Sequence, residues 1–253
     1  MRILDRFRLE DRVVVVTGAS SGLGVVFAQA FAEAGAHLAL AARRADRLAD
    51  TARLVRTQGR RALTVTTDVA VQADCQALVD ATMAEFGRID VLVNNAGIGT
   101  AHPATRETTE QFTRVIDINL NGSYWMAQAC GRVMLPGSSI VNVSSVLGLT
   151  TLGLPQAAYA ASKAGLIGLT RDLAAQWTPR KGIRVNALAP GFFMTEMTDE
   201  YPPGYLDTQL PRVLLGRVGD PTELAAAALF LASDAASYVT GIVLPVEGGL
   251  LTG

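Results

Sequence analysis

Cysteine and histidine are scarce, with only Cys75, Cys130, His37 and His102 in 253 residues. Without C-x-x-C spacing or a Cys/His cluster, the chain suggests neither a disulfide framework nor a metal centre, and both thiols are expected buried and reduced. An excess of either charge is also missing. The 22 Lys and Arg stand against 23 Asp and Glu, for a net charge of −1 with no dense basic stripe, so nucleic acid is not an expected partner. No run of about 18 apolar residues occurs, and no membrane span is expected. Met1 to Glu10 alternates charged with apolar residues and lacks the continuous apolar core of a signal peptide, so a cytoplasmic protein is expected. No Pro/Gly/Ser-rich linker, charge block or internal repeat divides the chain, so residues 1–253 are expected to form one domain.

What is present is an alternation of strand and helix patterns. Arg12–Val16 is a β-branched run that ends at Thr17-Gly18, as a strand buried on both faces of a parallel sheet would. Gly18-Ala19-Ser20-Ser21-Gly22-Leu23-Gly24 follows, and then an Ala-rich helical segment up to Gly35. Glycines let such a turn approach a pyrophosphate, and the helix N-terminus offers free N–H groups and a positive dipole. The spacing is G-x-x-x-G-x-G rather than G-x-G-x-x-G, which supports a phosphate cradle without the usual dinucleotide fingerprint. A structural turn with no ligand is the alternative.

The end of the second strand, His37–Ala41, bears on the cofactor. Where an NAD-binding unit places an acid against the ribose hydroxyls, this chain has Ala41-Ala42-Arg43-Arg44. An Arg pairs with a 2′-phosphate through charge-assisted bonds, so NADP(H) is expected over NAD(H), with Arg43 the main contact and Arg44 a second candidate. Solvated loop charges are the alternative.

Further strands are expected at Ala62–Thr67, Ile89–Val93, Ser139–Val143, Ile183–Leu188 and Ile242–Val246. Helices are expected at Asp46–Gln58, Gln72–Phe86, Glu107–Gly131, Gln156–Trp177 and Pro221–Ser233, the fourth of these ended by Thr178-Pro179. This pattern describes an α/β doubly wound, Rossmann-type fold with helices on both faces of a parallel sheet, whose strand ends are the places for ligand contacts. Asp68 could accept from an adenine amino group and Asn95-Ala96-Gly97 could lie against the cofactor; both could equally shape loops. Asn119-Leu120-Asn121-Gly122 interrupts its helix and invites a kink or an exposed carbonyl. Residues 196–220 lack a regular pattern, and a mobile substrate lid is expected there, with Leu152, Leu154, Phe192, Tyr201, Tyr205 and Leu206 forming an apolar pocket.

Tyr159 and Lys163 are four residues apart and share a helix face. A phenol with a pKa of about 10 donates poorly near neutrality, and a neighbouring ammonium lowers that value. A shift of about 2 to 3 units corresponds to roughly 3 to 4 kcal/mol. The pair therefore points to a Tyr acid–base catalyst tuned by Lys, with a hydroxyl from Ser144-Ser145 holding the reacting oxygen.

Taken in order, Thr17 to Gly24, Asn94-Asn95-Ala96-Gly97, Asn119, Ser145, Tyr159-x-x-x-Lys163 and Pro190-Gly191 followed by Thr195 resemble the short-chain dehydrogenase/reductase family from about Leu9 to Gly249. The resemblance implies a seven-stranded sheet and a catalytic set of Asn119, Ser145, Tyr159 and Lys163. Ser145 is preferred over Ser144 because Ser145-Val146-Leu147-Gly148 matches the family's segment. Lys163 would bind the nicotinamide ribose, and Asn119 would hold a water linking Lys163 to solvent. Asp68-Val69 would meet the adenine, and the Phe193 backbone and Thr195 the carboxamide. The implied cofactor contacts also include Gly18, Ser20, Ser21, Gly22, Leu23, Gly24, Asn95, Ala96, Gly97, Pro190 and Gly191.

Three departures stand out. Ser21 replaces a basic residue of many NADP-using relatives, Leu135-Pro136-Gly137-Ser138 looks short, and Glu247 stands where Asp or Asn is frequent. The branch that acts on 3-oxoacyl carrier proteins is the nearest in appearance. Reduction of a ketone or β-ketoacyl carbonyl of a small-molecule substrate to a secondary alcohol, or the reverse, is therefore expected, within a homotetramer or else a homodimer. An NAD-dependent sugar-alcohol or polyol dehydrogenase is the alternative, and a non-catalytic NADP(H) sensor or scaffold the alternative of another class.

Overall fold

The computed structural model describes residues 2–194 and 204–252. Its seven strands, β1 (Val13–Thr17), β2 (His37–Ala42), β3 (Ala62–Thr66), β4 (Val91–Asn94), β5 (Ser139–Val143), β6 (Arg184–Pro190) and β7 (Val243–Val246), form one parallel sheet. The spatial order is β3-β2-β1-β4-β5-β6-β7. β1 is buried at every residue, which is why its sequence shows no alternation. Val14 and Val16 pack against α1 (Gly22–Glu33), α2 (Ala45–Thr57) and the late helix Pro221–Ala232. Val15 packs on the opposite face, against α3 (Gln72–Phe86) and the helices that begin at Gly122 and Ala157. The sheet is thus covered on both faces, and the chain reverses direction of growth between β1 and β4, where ligands of doubly wound sheets bind.

The long helical pattern after Glu107 resolves into three pieces. Thr108 caps α4 (Thr109–Ile116) in a reciprocal box with Gln111. A π-helical turn, Asp117–Asn121, follows, in which the Gly122 N–H donates to the Asp117 carbonyl, and α5 (Gly122–Val133) continues from it. The interruption falls where Asn119 to Gly122 predicts one, but as a π-turn within a continuous rod, a feature that recurs at functional sites. α6 (Ala157–Lys181) corrects the expected end at Thr178-Pro179. It accommodates Pro179 in its last turn and ends at Gly182, whose left-handed φ of 65° stops it and whose N–H donates to the Thr178 carbonyl.

Part of the segment expected to be irregular is helical. Gly204 leads into α7 (Tyr205–Gln209), and Pro211 sits in a 3₁₀ turn, Leu210–Arg212. This run lies between two prolines, Pro203 and Pro211, and itself contains no helix breaker. α8 (Pro221–Ala232) starts on an Asp220 cap with Pro221 at its first position. Leu135 to Ser138 is a tight turn in which the Gly137 N–H donates to the Gly182 carbonyl at 2.9 Å. Among the described residues no helix is long and apolar enough to cross a membrane, and no group of His, Cys, Asp and Glu could hold a metal ion. Cys75 and Cys130 are buried and unpaired in disulfides, and burial pushes the Cys75 thiol up to about 12.

β1 and α1 meet closely near the sheet's reversal point. A methyl at Gly24 would lie 2.3 Å from the Gly18 carbonyl oxygen and 2.8 Å from Asn95 Nδ2. Gly24→Ala must therefore move backbone, and should lower stability by about 1–3 kcal/mol in urea unfolding with an unchanged m-value. Wild-type stability in that variant would refute the close approach.

Candidate active site

A cavity opens at the carboxyl ends of β1, β2, β4, β5 and β6, above the reversal point. At one end it is walled by Gly18, Ser20, Ser21, Gly22 and Leu23. Gly18 and Gly22 have φ of 66° and 54°, values open to glycine, and they turn the chain from β1 directly into α1. Ser21 precedes the helix but makes no side-chain cap, so the first-turn N–H groups of α1 are left to an anion at the cavity. That donor set fits the pyrophosphate of a dinucleotide. Gly24 does not line the cavity; its missing side chain serves the packing described above.

The end of β2 contributes Arg43 and Arg44, both exposed on the cavity wall. Arg44 reaches back to the glycine turn, where its guanidinium donates to Ser21 Oγ at 2.6 Å and to Ser20 Oγ at 3.3 Å. Asp68 and Val69, after β3, line the same region, as do Asn95, Ala96 and Gly97 after β4. Asn95 Nδ2 donates to the Thr17 carbonyl at 2.9 Å, which ties the two turns together. Pro190, Gly191 and Phe193 close the wall from β6. Thr195 and Tyr201 lie outside the described residues.

Ser145, Tyr159 and Lys163 line the other end of this cavity. Ser145 follows β5 and caps a 3₁₀ turn, Val146–Gly148, by accepting the Leu147 N–H at Oγ, 3.1 Å away. Its own hydroxyl hydrogen is not used in that bond. Gly148 lets the turn press on α6, because a methyl there would stand 2.9 Å from the Lys163 carbonyl. Lys163 is 4% exposed and donates from Nζ to the Val143 carbonyl at 2.7 Å, with Nζ 5.6 Å from the centre of the Tyr159 ring. Burial of the ammonium lowers its pKa to about 8.

Asn119 is fully buried and is not on the cavity wall. Its side chain accepts the Ile98 N–H and donates to the Ile98 carbonyl, both at 2.9 Å, and donates to Ser162 Oγ at 3.0 Å. It therefore clamps the turn after β4 onto α6. A glycine turn, the N-terminus of α1 and a Ser/Tyr/Lys cluster meet in one cleft at a sheet reversal, an arrangement that fits a dinucleotide with acid–base groups beside it.

The chain belongs to the short-chain dehydrogenase/reductase family. Residues 18–251 match the family described as enoyl-(acyl carrier protein) reductase. Galactitol 2-dehydrogenase (L-tagatose-forming) of Cereibacter sphaeroides is 42% identical over 250 residues, covering 96% of each chain. A 3-oxoacyl-(acyl-carrier-protein) reductase of Thermotoga maritima is 40% identical over 247 residues, covering 96% of this chain and 99% of the relative. Among solved structures, a gluconate 5-dehydrogenase of Burkholderia cenocepacia in complex with NADP and tartrate aligns with a TM-score of 0.92 at 36% identity, covering 100% of both chains.

Motif reading missed the polar chain behind the site. Ser162 Oγ donates to the Tyr159 carbonyl at 2.7 Å, and Ser123 Oγ to the Asn119 carbonyl at 2.8 Å. Asn94 Nδ2 donates to Asn142 Oδ1 and to the Ser123 carbonyl, and Asn142 Nδ2 to Thr170 Oγ1. Polar residues recurring inside apolar strands, Asn94 and Asn142 above all, were the available signal.

The buried ammonium has a measurable cost. Its folded pKa of about 8 lies below the ordinary 10.5, so the folded chain releases this proton first and stability rises with pH across that interval. From about pH 7 to about pH 9.5 the gain from this group is roughly 2 kcal/mol. Urea unfolding of the wild type should show that increment relative to Lys163→Met. Equal pH slopes for the two proteins would rule it out.

Proposed function

We propose that the chain is an NADP(H)-dependent oxidoreductase, one catalytic domain over residues 1–253, that reduces a ketone or β-ketoacyl carbonyl to a secondary alcohol or runs the reverse reaction. The observation that carries this reading is the convergence of Ser145, Tyr159 and Lys163 on the cavity that also holds the glycine turn. When bound, the nicotinamide supplies or takes the hydride. Tyr159 gives its phenolic proton to the carbonyl oxygen, and Ser145 donates its free hydrogen to the same oxygen, where charge develops. Lys163 holds the nicotinamide ribose and favours the phenolate of Tyr159. Asn119 keeps the turn at Gly97 and Ile98 against α6 and, as in the family, stands beside the proton path from Lys163 to solvent. Residues 204–220 belong to the substrate lid expected over 196–220, of which 196–203 lie outside the described residues.

The preference for NADP(H) rests on the absence of a carboxylate after β2 and on Arg43 and Arg44 at the cavity wall. The anchoring of Arg44 by Ser20 and Ser21 gives Ser21 a part in that site without a charge of its own. A second reading, an NAD-dependent dehydrogenase of sugar alcohols, is favoured by the 42% identity to the galactitol enzyme. Cofactor preference in the oxidation direction separates the two.

Tyr159→Phe should lower kcat/KM on a ketone panel by about a thousandfold, while calorimetric titration still detects cofactor binding. Turnover within tenfold of wild type would overturn the role of Tyr159; binding without turnover by the wild type on any carbonyl would favour a sensor. Arg43→Ala and Arg44→Ala should each reduce the NADPH-to-NADH ratio of kcat/KM by roughly tenfold. An unchanged ratio in both would overturn the cofactor assignment.

A further inference from the structure

We propose that Gln156 is the specificity-determining residue of this site, and that it recognises one neutral polar group on a substrate whose body is otherwise apolar; the inference rests on the reductase reading above. Gln156 stands three residues before Tyr159 and seven before Lys163, immediately before the first residue of α6. It lines the same cavity as Ser145 and Tyr159 and is half-buried. Although it occupies the cap position of α6, its side chain does not cap the helix, and its amide makes no hydrogen bond to another described residue. A side-chain amide with both a donor and an acceptor unspent, one turn from the acid–base Tyr, is a reader of substrate.

Among the described residues, the rest of that end of the cavity has little else to offer a polar substrate. Ser144 Oγ donates to the Lys163 carbonyl at 2.9 Å, and the Tyr205 hydroxyl donates to the Leu152 carbonyl at 2.8 Å. Val146, Leu147, Leu152 and Phe192 supply apolar wall, and the other charged groups on the cavity, Arg43, Arg44 and Asp68, sit at the nucleotide end. Among the described residues a sugar acid would find no cation there beyond Lys163. Each hydroxyl of a polyol beyond the reacting one and the one at Gln156 would lose water without gaining a partner among the described residues. The chemistry favoured is an alicyclic or short aliphatic ketone, or the matching alcohol, bearing one hydroxyl or second carbonyl near the reacting carbon.

The test compares kcat/KM for cyclohexanone and for its ring-hydroxylated derivatives, with NADPH, in wild type, Gln156→Leu and Gln156→Glu. Wild type should prefer at least one hydroxyketone by about tenfold or more, because a buried polar group without its partner is heavily disfavoured. The ratio should collapse toward unity in Gln156→Leu and return in part in Gln156→Glu, which retains an acceptor at the same reach. No preference in wild type, an unchanged ratio in Gln156→Leu, or equal loss in both variants would overturn the assignment and leave the reductase reading standing. No turnover of these ketones or of a β-ketoacyl thioester with either NADPH or NADH would overturn both.

Discussion

A single ammonium held inside the protein sets the terms for everything around it. Among the described residues Lys163 has one acceptor, the Val143 carbonyl at the end of β5, and burial alone is enough to weaken its hold on its proton. Keeping it there requires β5 to end at that level and the turn after Ser145 to lie flat on α6. Gly148 permits that approach. The π-turn places Asn119 where its amide grips both the post-β4 turn and Ser162. The arrangement of Ser145, Tyr159 and Lys163 is thus an outcome of packing three backbone segments around one cation.

Much of this could be read from the chain. Apolar runs ending in Thr17-Gly18, Asn94-Asn95 and Ser144-Ser145 indicated parallel strands whose carboxyl ends meet at one edge, and all seven expected strands are present. Two helix boundaries were harder. Pro179 reads as a stop, yet a proline in a last turn is tolerated when the following Gly182 supplies the left-handed exit. The π-turn at Asp117–Asn121 has no distinct periodicity over so few residues, so only the weak helix formers Asn119, Asn121 and Gly122 betrayed it. The polar chain from Thr170 through Asn142 and Asn94 to Ser123 involves residues far apart in sequence, and no local pattern could join them.

The cavity is chemically two-ended. One end carries the N-terminus of α1, Arg43, Arg44 and Asp68, all near solvent. The other end is built from Val146, Leu147, Leu152 and Phe192, where the cost of stripping water from a ligand falls on the ligand's own polar groups. Tyr159 and Lys163 stand where these environments meet, with low exposure to water on one side and charge on the other.

The strand order also has a temporal meaning. Val14 pairs with Val91 and the Asn95 amide reaches Thr17, so the first strand acquires its second neighbour only after more than a third of the chain has been made. During synthesis the amino-terminal segments can assemble β1, β2 and β3, but they expose one open flank of β1 until β4 arrives. Such long-range parallel pairing is intrinsically slow to form. The unfinished sheet is therefore the stage of this protein's life most exposed to unwanted strand pairing, and the buried valines that make β1 a good centre are what make it vulnerable there.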